Sequence, residues 1–220
     1  YRNGGAEITA VEKNERPARK LMITGKGRCN VCNNCDIDTL IANIPKNGRF
    51  LYSAFSGFAP QDTMTFFESL GVPLKTERGN RVFPVSDKAA DIADALVKAA
   101  KRGGTKIIHG RAKKILTENG AVSGVLLENG ETLPADSVIL ATGGMSYPLT
   151  GSTGDGYKMA RVLGHTVAEI KPSLVALNAH EGFCERLAGL SLKNVTLSVF
   201  EEGKKKPVFS ELGEMLFTHF

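Results

Sequence analysis

The chain has 220 residues, 42% of them hydrophobic and 23% charged, which is enough apolar material for one large globular domain or slightly more. No apolar run approaches the roughly 18 residues of a membrane-spanning helix, and no basic-then-apolar leader is recognisable, so we expect a cytoplasmic protein. The net charge of +5 favours anionic partners such as nucleotides and acidic cofactors. Basic residues are dispersed except at Lys204-Lys205-Lys206, so nucleic-acid binding is not indicated.

The first predicted element is a short strand, Ala6 to Val11, which ends at Glu12. An acidic residue at the end of the second strand of a nucleotide-binding βαβ unit typically accepts a ribose hydroxyl. The glycine fingerprint of such a unit lies roughly 20 residues earlier, before Tyr1. The sequence therefore indicates either the later part of a βαβ unit, with residues 1–5 ending its crossover helix, or a different arrangement.

The next feature, which we call the glycine loop, is Thr24 to Asn30, with two glycines and the cations Lys26 and Arg28. Glycine allows close approach of a backbone to a ligand, and arginine can bind phosphate or carboxylate oxygens with two hydrogen bonds. The loop is typical either of a cradle for an anionic or flat, electron-rich ligand or of a basic surface turn. The two interpretations have equal weight on the loop alone.

Three of the four cysteines, Cys29, Cys32 and Cys35, form a C-x-x-C-x-x-C run, and Cys184 is distant in sequence. Without a secretory signal, such spacing suggests metal or redox chemistry before disulfides. An iron–sulfur cluster or a zinc site needs a fourth ligand, which the run lacks. We favour free thiols over a metal site.

Residues 36–60 contain an aromatic and apolar group that we expect to be core: Phe50, Leu51, Tyr52, Phe55 and Phe58. A short helix, Gln61 to Leu70, follows and stops at Gly71. The clearest helix is Ser86 to Arg102, with Ser86 as its cap, Asp87 at its positive end, and Ile92 and Leu96 on its buried face.

Beyond this helix the apolar residues follow the two-residue period of β-strands, which predicts strands at residues 106–108, 112–117, 122–127 and 131–133. Asn119-Gly120 and Asn129-Gly130 are two-residue hairpin signals, so the last three form an antiparallel meander. Ser137 to Ala141 is a continuous apolar run, which predicts a strand buried on both faces and leading into Thr142-Gly143-Gly144.

A glycine-rich turn, Thr150 to Gly156, opens the next predicted helix, which contains Met159 and ends at Gly164. Such a turn directs backbone N–H groups towards an anion. Asp155 either caps this helix or accepts from a ligand hydroxyl. Beyond Lys171-Pro172, residues 194–199 alternate as a half-buried strand, and the lysine run after Gly203 is a hairpin tip.

This order of features resembles the BaiN-like NAD(P)/FAD-dependent oxidoreductases, also known as YhiN-like flavoproteins. The resemblance extends through almost the whole chain and is carried by Val11 to Asn14, Lys20 to Asn30, Arg81 to Pro84, Ala141 to Gly144, Thr150 to Gly156 and Leu216 to His219. It implies an α/β fold: an FAD/NAD(P)-binding Rossmann-like domain of the two-dinucleotide-binding type over residues 1–170, incomplete at its N-terminus, with an antiparallel β-meander. Residues 171–220 would begin an inserted β-rich domain.

The resemblance also implies FAD as cofactor, NAD(P)H as reductant and hydride transfer to an activated C=C of a small organic substrate. Glu12 would take the adenosine ribose with Lys13 beside it, and Ala112 would meet the adenine. The strand end and the two glycine-rich segments would line the nucleotide and the flavin. The implied cofactor-binding residues are Glu12, Lys13, Lys20, Thr24, Gly25, Lys26, Gly27, Arg28, Cys29, Asn30, Ala112, Ala141, Thr142, Gly143, Gly144, Ser152, Thr153, Gly154 and Asp155.

Two departures from the family pattern matter. The N-terminal G-x-G-x-x-G and the C-terminal flavin segment are absent from these residues, so we expect the 220-residue chain by itself to hold FAD weakly or not at all. Cys32 stands where the family usually has threonine, which leaves a metal or redox-sensing module of Cys29, Cys32 and Cys35 as one alternative function. A flavoprotein acting on RNA is another. No catalytic residue is predicted, and His219 is expected to be structural.

Overall fold

The computed structural model describes residues 5–172 and 175–218, which divide into two compact units at the boundary between Ala168 and Glu169. The strands of the first unit are β1 (Thr9–Glu12), β2 (Cys32–Asn33), β3 (Leu74–Glu77), β4 (Arg81–Pro84), β5 (Lys106–His109), β6 (Ala112–Glu118), β7 (Ala121–Leu127) and β8 (Thr132–Pro134). Its α-helices are α1 (Arg19–Ile23), α2 (Ile37–Ala42), α3 (Tyr52–Gly57), α4 (Pro60–Ser69), α5 (Ala89–Arg102) and α6 (Asp155–Val162). Short 3₁₀ turns cover Thr24–Gly27, Gly48–Leu51, Arg78–Asn80 and Pro148–Thr150.

Three small sheets organise this unit. β1 pairs in parallel with β5, so that Glu12 lies opposite His109 at their carboxyl ends. β2, β4 and β3 form an antiparallel sheet, and β6, β7 and β8 form the predicted antiparallel meander. The parallel pair and the α/β alternation confirm the predicted fold class.

The core of the unit lies where α4 and α5 meet the glycine loop. Ile92 and Ala89 of α5 pack with Phe67 of α4, Val72 and Cys29, all of them buried. The alternation of small and large apolar residues along α5 places this stripe on one face, as the sequence predicts. The helix α4 also agrees closely with its prediction, because Pro60 suits its first turn and Leu70 ends it.

The start of α5 differs from the prediction. The helix begins at Ala89, and Ser86 does not cap it, because the Ser86 hydroxyl accepts only a 3.3 Å hydrogen bond from the Lys88 N–H. Asp87 adopts a left-handed conformation with φ +56° and does not lie at the helix end as predicted. Its carboxylate instead binds Lys75 and Arg28.

Two other predictions for this unit are wrong. Ser137 to Ala141 forms no strand, and Ile139 is 90% exposed. An apolar run becomes a buried strand only when neighbouring strands satisfy its backbone, and no described residue pairs with it. The aromatic group is not core either: Phe50 and Tyr52 lie on the surface of short helical turns that are too brief to bury both faces.

The second unit contains α7 (Phe183–Arg186) and a hairpin of β9 (Ser191–Val199) and β10 (Phe209–Leu216). Its tip includes the lysine run, as predicted. The half-buried strand is present but more exposed than predicted, with Leu197 44% accessible, because a two-stranded hairpin has no second layer of its own. The predicted His219 and residues 1–4 lie outside the described residues. No helix within 5–172 or 175–218 is both long and apolar enough to cross a bilayer.

Candidate functional site

A cleft of about 580 Å³, which we call the Lys13 cleft, opens at the carboxyl ends of β1 and β5. Ligands of open α/β sheets bind at this edge, where loops after the strands converge. The lining includes Lys13, Asn14, His109, Arg111, Gly151 and Thr153. The cleft is therefore built from the loop after β1, the loop after β5 and the turn before α6.

Glu12 ends β1 beside this cleft, and its carboxylate is held on one side only. Its Oε1 accepts from the backbone N–H and the side-chain Nδ2 of Asn14, both at 2.8 Å. The Asn14 amide also donates to the Thr150 carbonyl at 3.2 Å, which ties the β1 loop to the turn before α6. Among the described residues no hydrogen bond reaches Oε2, so this oxygen can accept from a ligand hydroxyl.

Asp155 anchors a group of charges, the Asp155 cluster, at the first turn of α6. Its carboxylate is only 11% exposed and binds Lys13 at 2.8 Å and Arg111 at 3.3 Å, while the Thr153 hydroxyl donates to it at 3.0 Å. The Lys13 hydrogen bond, followed by those of Arg111 and Thr153, holds the pKa of Asp155 far below its ordinary value of 3.8. The carboxylate therefore neither caps the helix nor points freely at a ligand.

The Asp155 cluster carries an excess of positive charge. Lys158 comes within 4.0 Å of Asp155, and Arg111 also reaches Glu128 at 3.3 Å. Three cations thus face two carboxylates within the cluster, and the Glu12 carboxylate lies beside the same cleft. Such a cluster attracts an anionic ligand, as a nucleotide is.

The segment Thr142 to Gly144 packs directly on the turn before α6. The Gly154 N–H donates to the Gly144 carbonyl at 3.1 Å, and a Cβ on Gly143 would lie 3.0 Å from the Ser152 hydroxyl. A Cβ on Gly156 would meet the Thr142 hydroxyl. The structure therefore brings Thr142 to Gly144 together with the Ser152 to Asp155 turn, next to the Lys13 cleft.

The glycine loop lies against a different sheet. The Asn30 carboxamide faces the carbonyl oxygens of Cys32 and Val82, 3.0 and 3.3 Å away, which assigns its nitrogen to that side. Arg28 binds Glu77 and Asp87 rather than projecting alone. Among the predicted residues, Lys20 connects the glycine loop with the segment that follows Gly144, because its Nζ donates to the Ser146 carbonyl at 2.8 Å.

The charges around Arg28, which we call the Arg28 cluster, alternate in sign. Arg28 binds Glu77 at 2.9 Å and Asp87 at 3.1 Å, and Lys75 binds Asp87 at 2.6 Å. The Arg28 hydrogen bond lowers the pKa of Glu77, and the Lys75 hydrogen bond lowers that of Asp87. Both carboxylates are ionised at neutral pH.

The cysteine run does not form a metal site in the part of the chain that is described. No group of three or more His, Cys, Asp or Glu is arranged there to hold a metal. Cys29 is 3% exposed, and burial raises the pKa of its thiol and of the Cys32 thiol. All four cysteines are free thiols.

Sequence reasoning missed several residues of the Lys13 cleft. Asn14, His109 and Arg111 were given no role, although His109 ends the strand that pairs with β1 and Arg111 lies two residues beyond it. The rule that ligands bind at the carboxyl ends of parallel strands could have identified them, if that pairing had been recognised. Ala112 lies in a second cleft of about 220 Å³ beside Lys114 and Lys158.

The parallel strand pair, its cleft and the glycine-rich helix start define a Rossmann-type nucleotide-binding domain. Residues 1–219 match the HI0933-like protein Rossmann domain. The chain therefore belongs to the HI0933-like family, which confirms the family and the fold class predicted from the sequence.

The curated relatives include enzymes with different named substrates. The chain is 34% identical over 189 residues to the 3-dehydro-bile acid delta(4,6)-reductase of Clostridium scindens, covering 86% of this chain and 45% of the relative. It is 28% identical over 219 residues to the ribosomal RNA dihydrouridine synthase of Escherichia coli, covering 98% of this chain and 52% of that relative. An L-aspartate oxidase of Pyrococcus abyssi is 37% identical over 73 residues, 33% of this chain and 13% of that relative. The chain spans about half the length of the first two relatives.

Proposed function

We propose that the protein containing this chain is an FAD-dependent oxidoreductase that takes hydride from NAD(P)H and reduces an activated C=C bond. When bound, the flavin supplies the hydride chemistry, and the protein binds and orients it. The observation that supports the proposal most is the Lys13 cleft, where a half-satisfied glutamate and surplus cations meet at the ends of two parallel strands.

The residues of the cleft suit the adenosine and phosphate portion of FAD. The Oε2 of Glu12 is available to accept from a ribose hydroxyl, while Asn14 fixes the other oxygen. Lys13 and Arg111 supply positive charge beside it, held in place by Asp155. These residues bind and orient the nucleotide end, and they take no part in the redox step.

The proposed substrate class is supported by the names of the two relatives that match most of this chain. A delta(4,6)-reductase and a dihydrouridine synthase both add two hydrogens across a C=C bond that is conjugated with a carbonyl group. We therefore propose an α,β-unsaturated carbonyl compound as substrate. The 34% relative favours a small organic molecule over RNA.

The test is anaerobic reduction of the full-length protein carrying FAD. We expect NADH or NADPH to reduce the flavin and bleach its absorbance. An added steroid enone acid should then reoxidise the flavin and restore the absorbance. Uridine-containing ribosomal RNA is the comparison substrate. Restoration by RNA alone would replace the small-molecule substrate with RNA, and failure of both nicotinamides to reduce the flavin would refute the proposed reductant.

A further inference from the structure

The backbone of the glycine loop adopts a left-handed conformation that contacts with the rest of the protein must stabilise. Gly25, Lys26, Gly27 and Cys29 all lie in the left-handed region, with φ of 55°, 59°, 85° and 62°. For Lys26 and Cys29 this conformation is strained, because Cβ approaches the backbone carbonyl. Strained residues persist where their surroundings over-determine the conformation.

Arg28 provides support from inside the loop. Its guanidinium forms a two-pronged pair with Glu77, at 2.9 and 3.2 Å, and a third bond to Asp87 at 3.1 Å. It also stacks 3.9 Å from the centre of the Phe83 ring. The loop is thereby fastened to β3, to β4 and to the segment before α5.

Phe83 links this fastening to the tightest point of the loop. A Cβ on Gly25 would lie 2.9 Å from the Phe83 ring and 2.8 Å from the Asn30 backbone nitrogen. Phe83 itself is 2% exposed, so it cannot move aside easily. One buried ring thus contacts both Gly25 and the Arg28 guanidinium.

The charge of Arg28 is balanced where it stands. Arg28 and Lys75 face Glu77 and Asp87, so the Arg28 cluster has two positive and two negative groups. Opposite charges in contact cancel most of the potential that either would produce at a distance. Arg28 is therefore poorly suited to stabilise negative charge on a ligand.

We propose that Arg28 is a positioning residue, which latches the glycine loop in its left-handed conformation so that the loop can meet the flavin, and that Arg28 supplies no charge to the flavin itself. The proposal rests on the proposed function for the identity of the ligand. The latch itself is a property of this chain, and it is testable without cofactor.

The test without cofactor uses Cys29, which is buried in the loop and whose N–H donates to the Thr24 carbonyl at 3.0 Å. Iodoacetamide labelling of the full-length apo-protein, read for each cysteine by mass spectrometry, reports whether the loop stays closed. We expect Arg28→Gln and Glu77→Gln to speed labelling of Cys29 about tenfold, whereas Arg16→Gln, which removes an unrelated surface cation, leaves it unchanged. Circular dichroism identifies any variant that fails to fold.

The test with FAD separates a latch from a direct charge effect by sign. Glu77→Gln removes one negative charge, so the Arg28 cluster becomes net positive. If Arg28 acted on the flavin through its charge, this variant would raise the flavin reduction potential. The latch predicts instead that Glu77→Gln, Arg28→Lys and Arg28→Gln all weaken FAD binding, by about tenfold or more. Lysine cannot restore the two-pronged bond, so Arg28→Lys is not a rescue.

The proposal is overturned if Cys29 remains protected in folded Arg28→Gln, or if Arg28→Lys keeps wild-type FAD affinity and reduction potential. If the wild-type protein binds no FAD, the proposed function fails, and the labelling experiment still decides the latch. Increased labelling with unchanged FAD affinity would also overturn it, since the loop would then not position the cofactor.

Discussion

The Asp155 cluster and the Arg28 cluster are both ion-pair groups of the first unit, yet they suit opposite tasks. The Asp155 cluster contains three cations and two carboxylates, and the central carboxylate, that of Asp155, is only 11% exposed. The Arg28 cluster sets two cations against two carboxylates, with Arg28 33% and Asp87 41% exposed. The first leaves positive charge at the edge of a cleft, and the second cancels its own.

The difference shows that the presence of cations in a glycine-rich segment does not by itself identify a ligand site. The sequence makes Lys26 and Arg28 conspicuous within the glycine loop, whereas Arg111 lies in no recognisable motif. The two groups of cations differ in the carboxylates that the fold brings next to them from distant parts of the sequence. Substitutions that alter these partners, or the backbone that places them, should affect the two clusters differently.

The largest expected effect is that of Gly25→Ala. The new Cβ would lie 2.8 Å from the Asn30 nitrogen and 2.9 Å from the Phe83 ring, at a φ of 55°. We expect a loss of about 3 kcal/mol in the free energy of unfolding, measured with urea. Gly27→Ala is the matched control, because its φ is 85° but nothing lies within 4 Å of the new Cβ. The control should cost about 1 kcal/mol, and an equal effect of both would contradict the tight contact.

The next largest effect is that of Asp155→Asn, which leaves Lys13 without its counter-ion in a poorly exposed site. We expect the free energy of unfolding to fall by about 2 kcal/mol at pH 7. Because the pKa of Asp155 is lowered in the folded protein, its contribution is fully present above the unfolded value of 3.8. It is lost as the pH falls further towards the folded value.

Urea unfolding at pH 7, 5 and 3 measures this dependence. The difference in the free energy of unfolding between wild type and Asp155→Asn should be similar at pH 7 and pH 5 and smaller at pH 3. Asp94→Asn is the control, because Asp94 is 51% exposed and pairs with Arg16 on the surface. A difference for Asp155→Asn that grows towards pH 3 would mean that the carboxylate is not stabilised by its cations.

The smallest expected effect is that of Arg16→Gln. Its pair with Asp94 is about half exposed on both sides, and such pairs contribute little because water screens them. We expect a change below about 0.5 kcal/mol in urea unfolding. A loss as large as that of Asp155→Asn would show that burial of the carboxylate does not distinguish the two pairs.

Much of the fold was predictable from local patterns. The meander follows from two Asn-Gly turns between alternating strands, and the observed register pairs Glu118 with Ala121 around the first of them. Helices α4 and α5 follow from their apolar spacing. The family resemblance depends on motif order, which needs no knowledge of contacts.

The wrong predictions concern interactions over long sequence distances. The sequence predicts Ser86 as the cap of α5 and Asp87 at the positive end of that helix, but Lys75 and Arg28 bind the Asp87 carboxylate instead. Ser137 to Ala141 has the composition of a buried strand, yet strand formation depends on a neighbour that local pattern does not reveal. For Asp155 the sequence left two roles open, helix cap or acceptor for a ligand hydroxyl; the structure pairs its carboxylate with Lys13 and Arg111, and its place in cofactor binding stays a prediction.

Glu12 is the residue on which the proposed placement of the nucleotide in the Lys13 cleft depends most directly. Titration of FAD into the full-length apo-protein, followed by flavin fluorescence, compares wild type with Glu12→Gln and with Asp94→Asn, which removes a surface carboxylate that does not line the cleft. We predict that Glu12→Gln weakens FAD binding by about 10-fold to 100-fold, as loss of a hydrogen bond to a charged group does, while Asp94→Asn changes it little. Equal affinity of wild type and Glu12→Gln would contradict the placement of the nucleotide in the Lys13 cleft.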